Sequence, residues 1–467
     1  MANLAVKILY ALWNQFEGVV VERFFQPEDR TQVPRSVESA TPLNGFDVIA
    51  ATIQFELDYI NFLRMLLQSQ VPLRRVERNL NNDPLVIVGG PAVTTNPLPM
   101  ADFVDLVVQG EVEPLTEVLL PAFYDRNLIT LQGLDGIYLP ESPPERPVYS
   151  QTTDLDTSFF PLAQVRNTND RNWRESQVLG GLLLQPSRGC YRGCKFCLIG
   201  RITRPFRERS LPTLKHQSLA GSKATQTNRL TLIGSGVGDY SRLADYLQFL
   251  NEHNLKFSIP SIRADSDMAV VEEIVRSGQN TITIAPETGS DEYRFQVGKR
   301  ISNDTFHQFV QEVARKGIRN LKMYFILGLP GQTMDEVHAI REFVAEVGQH
   351  FKKRDLNLTI GHFVPKRQTA FHNFPFTLDQ LRLNEEMRNV AKKELSPLGS
   401  LHISPLKWAV IQTILSIGDS RIAPHLARLA RTAGRHQDWV RELGGKPEKF
   451  LDSLVRQEDL VVPPVLS

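Results

Sequence analysis

Cysteine is almost missing from this chain: three in 467 residues, at positions 190, 194 and 197. An odd count this low in so long a chain excludes a disulfide framework. Histidine is absent before His216, so a Cys–His zinc site of ordinary spacing cannot be completed beside those thiols. No apolar run approaches the ~20 residues of a membrane-spanning helix, and the opening segment Met1–Lys7 lacks the long apolar core of a signal peptide. An excess of one charge is missing too: 53 basic residues stand against 52 acidic ones, a formal net charge of +1. That balance excludes a polybasic nucleic-acid binder, while a nucleic-acid substrate stays open. Free thiols without an export signal lead to the expectation of a cytoplasmic protein with no membrane partner.

What is present is concentrated in one stretch, Pro186-Ser187-Arg188-Gly189-Cys190-Tyr191-Arg192-Gly193-Cys194-Lys195-Phe196-Cys197, which holds every cysteine. The spacing is C-x3-C-x2-C, directly after an apolar run (Leu182, Leu183, Leu184) that reads as a buried strand. Three thiols on one short loop can point at one small object. An iron–sulfur cubane is such an object, and with three protein thiolates one iron is left open. An open coordination position distinguishes a metal site that does chemistry from one that only holds structure. A zinc-bound interaction module is the rival reading of the same thiols.

This spacing, with the aromatic Phe196 before the last cysteine, resembles the radical S-adenosylmethionine (radical SAM) superfamily. The resemblance implies a [4Fe–4S] cluster on Cys190, Cys194 and Cys197, with SAM completing the open iron. It also implies a low-potential reductant such as flavodoxin or ferredoxin. The continuation Arg204-Pro205-Phe206-Arg207-Glu208-Arg209-Ser210 looks like an uncharacterised bacterial branch whose members carry a cobalamin-binding-like domain ahead of the radical SAM domain.

The chain in order gives an α/β protein. Helical spacing over residues 4–16 is followed by strand-like segments at 18–25, 46–52, 85–89 and 106–109, with a helix over 59–68. Near-continuous apolar strands alternating with helices predict a Rossmann-like parallel sheet over residues 1–130. In the branch it resembles, this domain begins with a strand; here the chain starts at the helix, so that strand is expected to be missing. The Asp-x-His-x-x-Gly motif that supplies a cobalt ligand in such domains is absent. Cobalamin, a further candidate cofactor, would therefore lack a histidine ligand from this domain, and it is set against a sheet that serves as scaffold or substrate platform. Residues 131–180, with Pro140, Pro143, Pro144 and Pro147, read as a linker.

From residue 181 to 377 strand–helix alternation runs six times, with strands near 182–185, 230–233, 256–262, 281–285, 321–327 and 357–364. Thr333 to Glu336 reads as a capping box. Six units match the partial (β/α)6 barrel of radical SAM enzymes, and the cysteine loop follows the first strand, at the end where parallel barrels do chemistry. By the same resemblance, SAM contacts are expected from Phe196, from Gly234, Ser235, Gly236 and Asp239 after the second strand, from Ser261 and Arg263 on the third, and from Glu287 on the fourth. His362 at the sixth strand's end is a candidate substrate contact whose plainer reading is structural. Arginines crowd the cysteine loop, a patch read as a solvated face or a docking surface for an acidic reductant. Residues 378–467 read as a small C-terminal helical region.

The expected function is that of a radical SAM enzyme that reductively cleaves SAM to a 5′-deoxyadenosyl radical. The substrate and the catalytic residues are unknown, and cobalamin-dependent methylation is one form the reaction could take. No cysteines remain for the second cluster of a methylthiotransferase. The rival from another class is a non-catalytic iron–sulfur sensor or RNA-associated scaffold.

Overall fold

The structure, a computed structural model, describes residues 3–79, 81–165, 181–374 and 377–456. Two parallel-sheet units follow one another, and the last helices fold back onto the first. The N-terminal sheet has the order β1-β2-β3-β4: Val48–Thr52, Leu85–Gly89 and Leu106–Val108 are parallel, and the short Ile137–Tyr138 pairs antiparallel with β3. β4 thus comes from the segment expected to be a linker, of which residues 166–180 lie outside the described residues. The helix Leu4–Trp13 precedes the sheet. The segment expected as a strand at 18–25 has no strand pairing; its alternating valines lie along the surface, with Val20 three-quarters exposed. β-branched content alone makes no strand without a sheet edge to join.

Both faces of this sheet are covered. Leu85, Ile87, Leu106 and Val108 meet Trp13, Leu119 and Phe123 on one side. On the other, Ile49, Val86, Val88 and Val107 share a core with Tyr59 and Leu63 of the helix Asp58–Gln68. That second core also contains Ile411, Leu415, Leu426, Trp439 and Leu451, so the C-terminal helices complete the N-terminal domain. Polar bonds fasten the junction: Asn96 donates to the carbonyls of Ser416 and Gly418 at 3.0 and 2.7 Å, and Arg64 to that of Thr432 at 2.8 Å.

The barrel strands are β5 (Leu182–Leu184), the short β6 (Ser187–Arg188) and β7 (Arg207–Glu208), β8 (Arg229–Leu232), β9 (Lys256–Ser258), β10 (Thr281–Glu287), β11 (Asn320–Leu327), β12 (Leu356–His362) and β13 (Ser400–Ile403). They form two all-parallel groups, β5-β8-β9 and β10-β11-β12-β13, with β6 and β7 as a separate antiparallel pair. The third strand is shorter than its sequence suggests because Pro260 interrupts it. Beyond that break, a backbone bond from the Ile262 N–H to the Thr283 carbonyl at 3.1 Å carries the wall onward. β13 adds a seventh parallel strand within the region expected to be helical.

Period-two burial on β10 and β11 puts Ile282, Ile284, Leu321, Met323 and Phe325 against Phe306, Phe309, Val337 and Ile340 of the flanking helices. The other face, with Thr283, Ala285 and Glu287, is turned away from those helices. Ser210, Ser290 and Ser302 cap helices by accepting from the backbone three residues on. The capping box expected from Thr333 does not form: its side chain makes no cap bond, and Glu336 instead accepts from the Ser290 hydroxyl.

Candidate functional site

β5 is fully buried and delivers the chain to the carboxyl end of the barrel. There β6 and β7 pair across Ser187–Glu208 and Arg188–Arg207, so residues 189–206 form a loop closed at its base. This loop holds all three cysteines, each partly buried and each free. Two backbone bonds shape it, from Cys197 N to the Cys194 carbonyl at 3.2 Å and from Lys195 N to the Val297 carbonyl at 2.9 Å. The second ties the loop to the turn after the helix Asp291–Gln296. Phe196 packs with Tyr293, Val297, Leu329 and Phe363, anchoring the loop from its apolar side.

The thiols act on one another. Burial raises the pKa of Cys190, and proximity to Cys197 adds to the effect. Burial pushes Cys194 up to about 11; Lys299 opposes this, while Cys197 and Glu287 add to it. A thiol held protonated by its surroundings is in the state that a bound metal reverses, since a coordinating thiol loses its proton. Among the described residues no group of three or more His, Cys, Asp or Glu is gathered around a point where a single metal ion would sit. A cubane makes a different demand, because its thiolates attach to separate iron corners, and three free thiols on one loop fit it.

Around the loop stand the residues expected to contact SAM. Asp239 is almost entirely buried and faces two guanidiniums, Arg192 at 2.6 Å and Arg263 at 3.6 Å. Arg263 is further held by Asp265 through two bonds of 2.8 Å. Burial would raise the pKa of Asp265, but the Arg263 hydrogen bonds outweigh it and hold it below the usual carboxylate range. Asp239 thus holds Arg192 and Arg263 beside the cysteine loop.

Gly236 lies under the same group; a Cβ there would stand 3.1 Å from the Phe206 ring and 3.7 Å from the Asp239 carboxylate. Gly234 approaches the Ser187 carbonyl, while Ser235 is exposed. Ser261 is exposed as well, beyond the end of β9, and no hydrogen bond joins it to the Asp239 group among the described residues. Glu287 closes β10 with a left-handed backbone, φ 68°, at a shift in strand register. Its carboxylate pairs with Lys299 at 2.9 Å. A non-glycine residue held in that region marks a place where the surroundings over-determine the backbone.

Arg204 of the arginine patch is exposed, but Arg188, Arg207 and Arg209 do not form the solvated face the sequence suggests. Arg188 is buried and pairs with Glu111 at 2.9 Å and Glu113 at 2.6 Å. Arg207 reaches the same Glu111 at 2.7 Å. Buried Arg209 donates to the carbonyls of Leu155 and Gln185 and, at 3.0 Å, to the Ser158 hydroxyl. Sequence reasoning missed these partners because Glu111 and Glu113 lie on the other sheet. The signal available was their position directly after β3, where open α/β sheets place ligand-facing loops.

A model of the radical SAM superfamily matches residues 184–344, and a model of the N-terminal region of radical SAM proteins matches residues 5–140. The chain belongs to the radical SAM superfamily. As a radical SAM protein it is an enzyme of unknown substrate. It is 26% identical over 390 residues to an uncharacterized protein of Methanocaldococcus jannaschii, a match covering 84% of this chain and 82% of that one. Its fold is similar to that of the radical SAM methyltransferase TsrM from Kitasatospora setae, solved with cobalamin and a [4Fe–4S] cluster bound. The TM-score is 0.58 with 13% identity over 96% of each chain. It is also similar to the cobalamin-dependent radical enzyme OxsB, solved with aqua-cobalamin, with a TM-score of 0.56 and 17% identity over 94% of this chain and 64% of that one. These likenesses place the two-unit architecture of this radical SAM protein among those folds. Among the described residues no helix is long and apolar enough to cross a membrane.

Proposed function

We propose that this radical SAM protein binds a [4Fe–4S] cluster through Cys190, Cys194 and Cys197 and cleaves SAM reductively to act on a carbon of a small substrate. The observation that carries this reading is the cysteine loop itself: three free thiols on one loop at the chemical end of a parallel barrel, with no fourth cysteine in the chain. When bound, such a cluster supplies the electron that splits SAM into methionine and a 5′-deoxyadenosyl radical.

The protein's share is positioning. The Arg192 and Arg263 guanidiniums, held by Asp239 and Asp265, offer fixed donors to a carboxylate. Glu287, anchored by Lys299, offers an acceptor to ribose hydroxyls or an ammonium. Phe196 and its apolar neighbours keep water from one side of the loop. Glu111 and Glu113 lock the strand leading into the loop to the N-terminal domain.

The likeness to TsrM, a methyltransferase solved with cobalamin, and to the cobalamin-dependent OxsB supports methyl transfer with cobalamin as a second reading. The chain has no histidine before His216, so a corrinoid would bind the N-terminal domain without a histidine ligand from it. A shift in the visible spectrum of added hydroxocobalamin on mixing with the protein supports this form, and an unchanged spectrum rejects it. A sensor or scaffold is separated from an enzyme by electron paramagnetic resonance of the reduced cluster. The enzyme reading expects the signal to change when SAM is added, and an unchanged signal rejects it.

A further inference from the structure

A cavity of about 640 Å³ lies where the three parts of the chain meet, within the range of roughly 300–1,000 Å³ usual for small-molecule sites. The N-terminal domain contributes Phe55, Ile60 and Asn61, from the loop after β1 and the helix behind it. The barrel contributes Gly361 and His362 at the carboxyl end of β12. The C-terminal helices contribute Trp408, Gln412 and Trp439. Two cations, Arg30 and Arg435, stand in its wall as exposed residues.

Three features specify what fits. First, the walls are aromatic: Phe55 comes from the N-terminal domain and Trp408 from the C-terminal helices, with Trp439 buried in the adjoining core, an arrangement that favours a flat ring system. Second, the charge is one-sided. Among the described residues no carboxylate lines the cavity. Three acids that adjoin lining residues in sequence are engaged elsewhere: Glu56 is buried and turned to Lys366, with Gln412 donating to it at 2.8 Å, Asp29 accepts from Thr31 at 2.7 Å, and Asp438 accepts from the Arg435 backbone N–H at 2.9 Å. Among the described residues neither Arg30 nor Arg435 forms an ion pair; Arg30 donates to the Ala433 carbonyl at 3.1 Å.

Third, both ring nitrogens of His362 are buried and neither forms a hydrogen bond of good geometry. The Ser404 backbone is the one group that acts on the ring as a hydrogen-bond partner, and it can serve only one of the two nitrogens. Burial, with the Arg388 guanidinium adding to it, lowers the His362 pKa to about 4, so the ring is neutral near pH 7. A neutral imidazole offers one donor and one acceptor, and leaving either unmet in a buried site is costly.

We propose that this cavity binds a planar aromatic or heteroaromatic molecule carrying a negative charge. The rings would lie against Trp408 and Phe55, the anion would meet Arg30 and Arg435, and a polar ring atom would meet His362. Taking that molecule as the enzyme's substrate rests on the function proposed above; its binding does not.

The test is isothermal titration calorimetry on the full-length chain with three probes: indole-3-propionate, neutral indole, and hexanoate. The expected result is that indole-3-propionate binds about tenfold or more tightly than either of the others, since it alone satisfies both the rings and the cations. The double variant Arg30→Gln/Arg435→Gln, at exposed positions, should erase its advantage over indole. His362→Phe, which removes the ring's polar atoms with little change in volume, should weaken indole-3-propionate and indole and leave hexanoate unchanged.

Equal affinities for the three probes, an unchanged preference in the arginine variant, or displacement of indole-3-propionate by hydroxocobalamin would overturn the proposal. Calorimetry needs no turnover. A chain that binds the probe but forms no 5′-deoxyadenosine therefore contradicts the proposed reaction and leaves the cavity's ligand standing.

Discussion

Glu111, on the loop after β3 of the N-terminal sheet, and Arg188, two residues before the first cysteine, meet at 2.9 Å with both side chains largely buried. Arg207, across the base of the cysteine loop, pairs with the same carboxylate at 2.7 Å. One acid of the first domain therefore grips both strands that frame the loop.

Replacing Glu111 with Gln leaves two buried guanidiniums short of a counter-charge. The expected cost is about 3 kcal/mol, at the low end for breaking a buried pair because Glu113 still faces Arg188. Burial alone would raise the pKa of Glu111, but Arg188 and Arg207 outweigh it and depress it. The stability it contributes is thus fully present above the unfolded glutamate pKa of about 4.3. It is lost as pH falls through the lower, folded value. Urea midpoints measured from neutral pH downward should show wild type converging on Glu111→Gln in acid; curves that stay parallel contradict the pairing.

Gly298 is a second constraint on the loop, from the other side. Its φ of +83° favours glycine, and a Cβ there would stand 2.5 Å from the Gly193 carbonyl oxygen and 3.3 Å from Cys194 Cα. Gly298→Ala should cost about 1–2 kcal/mol from backbone conformation and push the loop away. The quantity to measure is iron and sulfide per chain after anaerobic reconstitution, which should fall below wild type. Full cluster loading in a folded Gly298→Ala protein contradicts the placement of Cys194.

The Arg263 guanidinium is held by Asp265 and Asp239, and it is the donor proposed for the SAM carboxylate. Arg263→Ala should weaken SAM binding about ten- to a hundredfold, the span of a lost hydrogen bond to a charged group. Thermal stability should change little, since the side chain is partly exposed. Equilibrium SAM binding to the reconstituted protein decides it, and an unchanged Kd removes Arg263 from the site.

What the sequence revealed, and what it hid, divides along physical lines. The cysteine loop and most barrel strands were legible because both are local patterns: thiol spacing in one case, apolar period and flanking glycines in the other. The Thr333–Glu336 capping pattern misled because Glu336 has a better partner in Ser290, distant in sequence. Strand β13 (Ser400–Ile403) hid because half its residues are exposed at a sheet edge, which leaves only a weak apolar signal. The partners of Arg188, Arg192 and Arg207 hid for the same reason as the packing of Trp439 on the first domain. Each depends on a contact between segments far apart along the chain, and nothing in local composition encodes it.

The most direct test is to reconstitute the cluster anaerobically, reduce with dithionite in the presence of SAM, and quantify 5′-deoxyadenosine. Wild type should form it and Cys194→Ala should not. A wild-type protein with its cluster fully assembled that yields no more 5′-deoxyadenosine than the Cys194→Ala control would contradict the account.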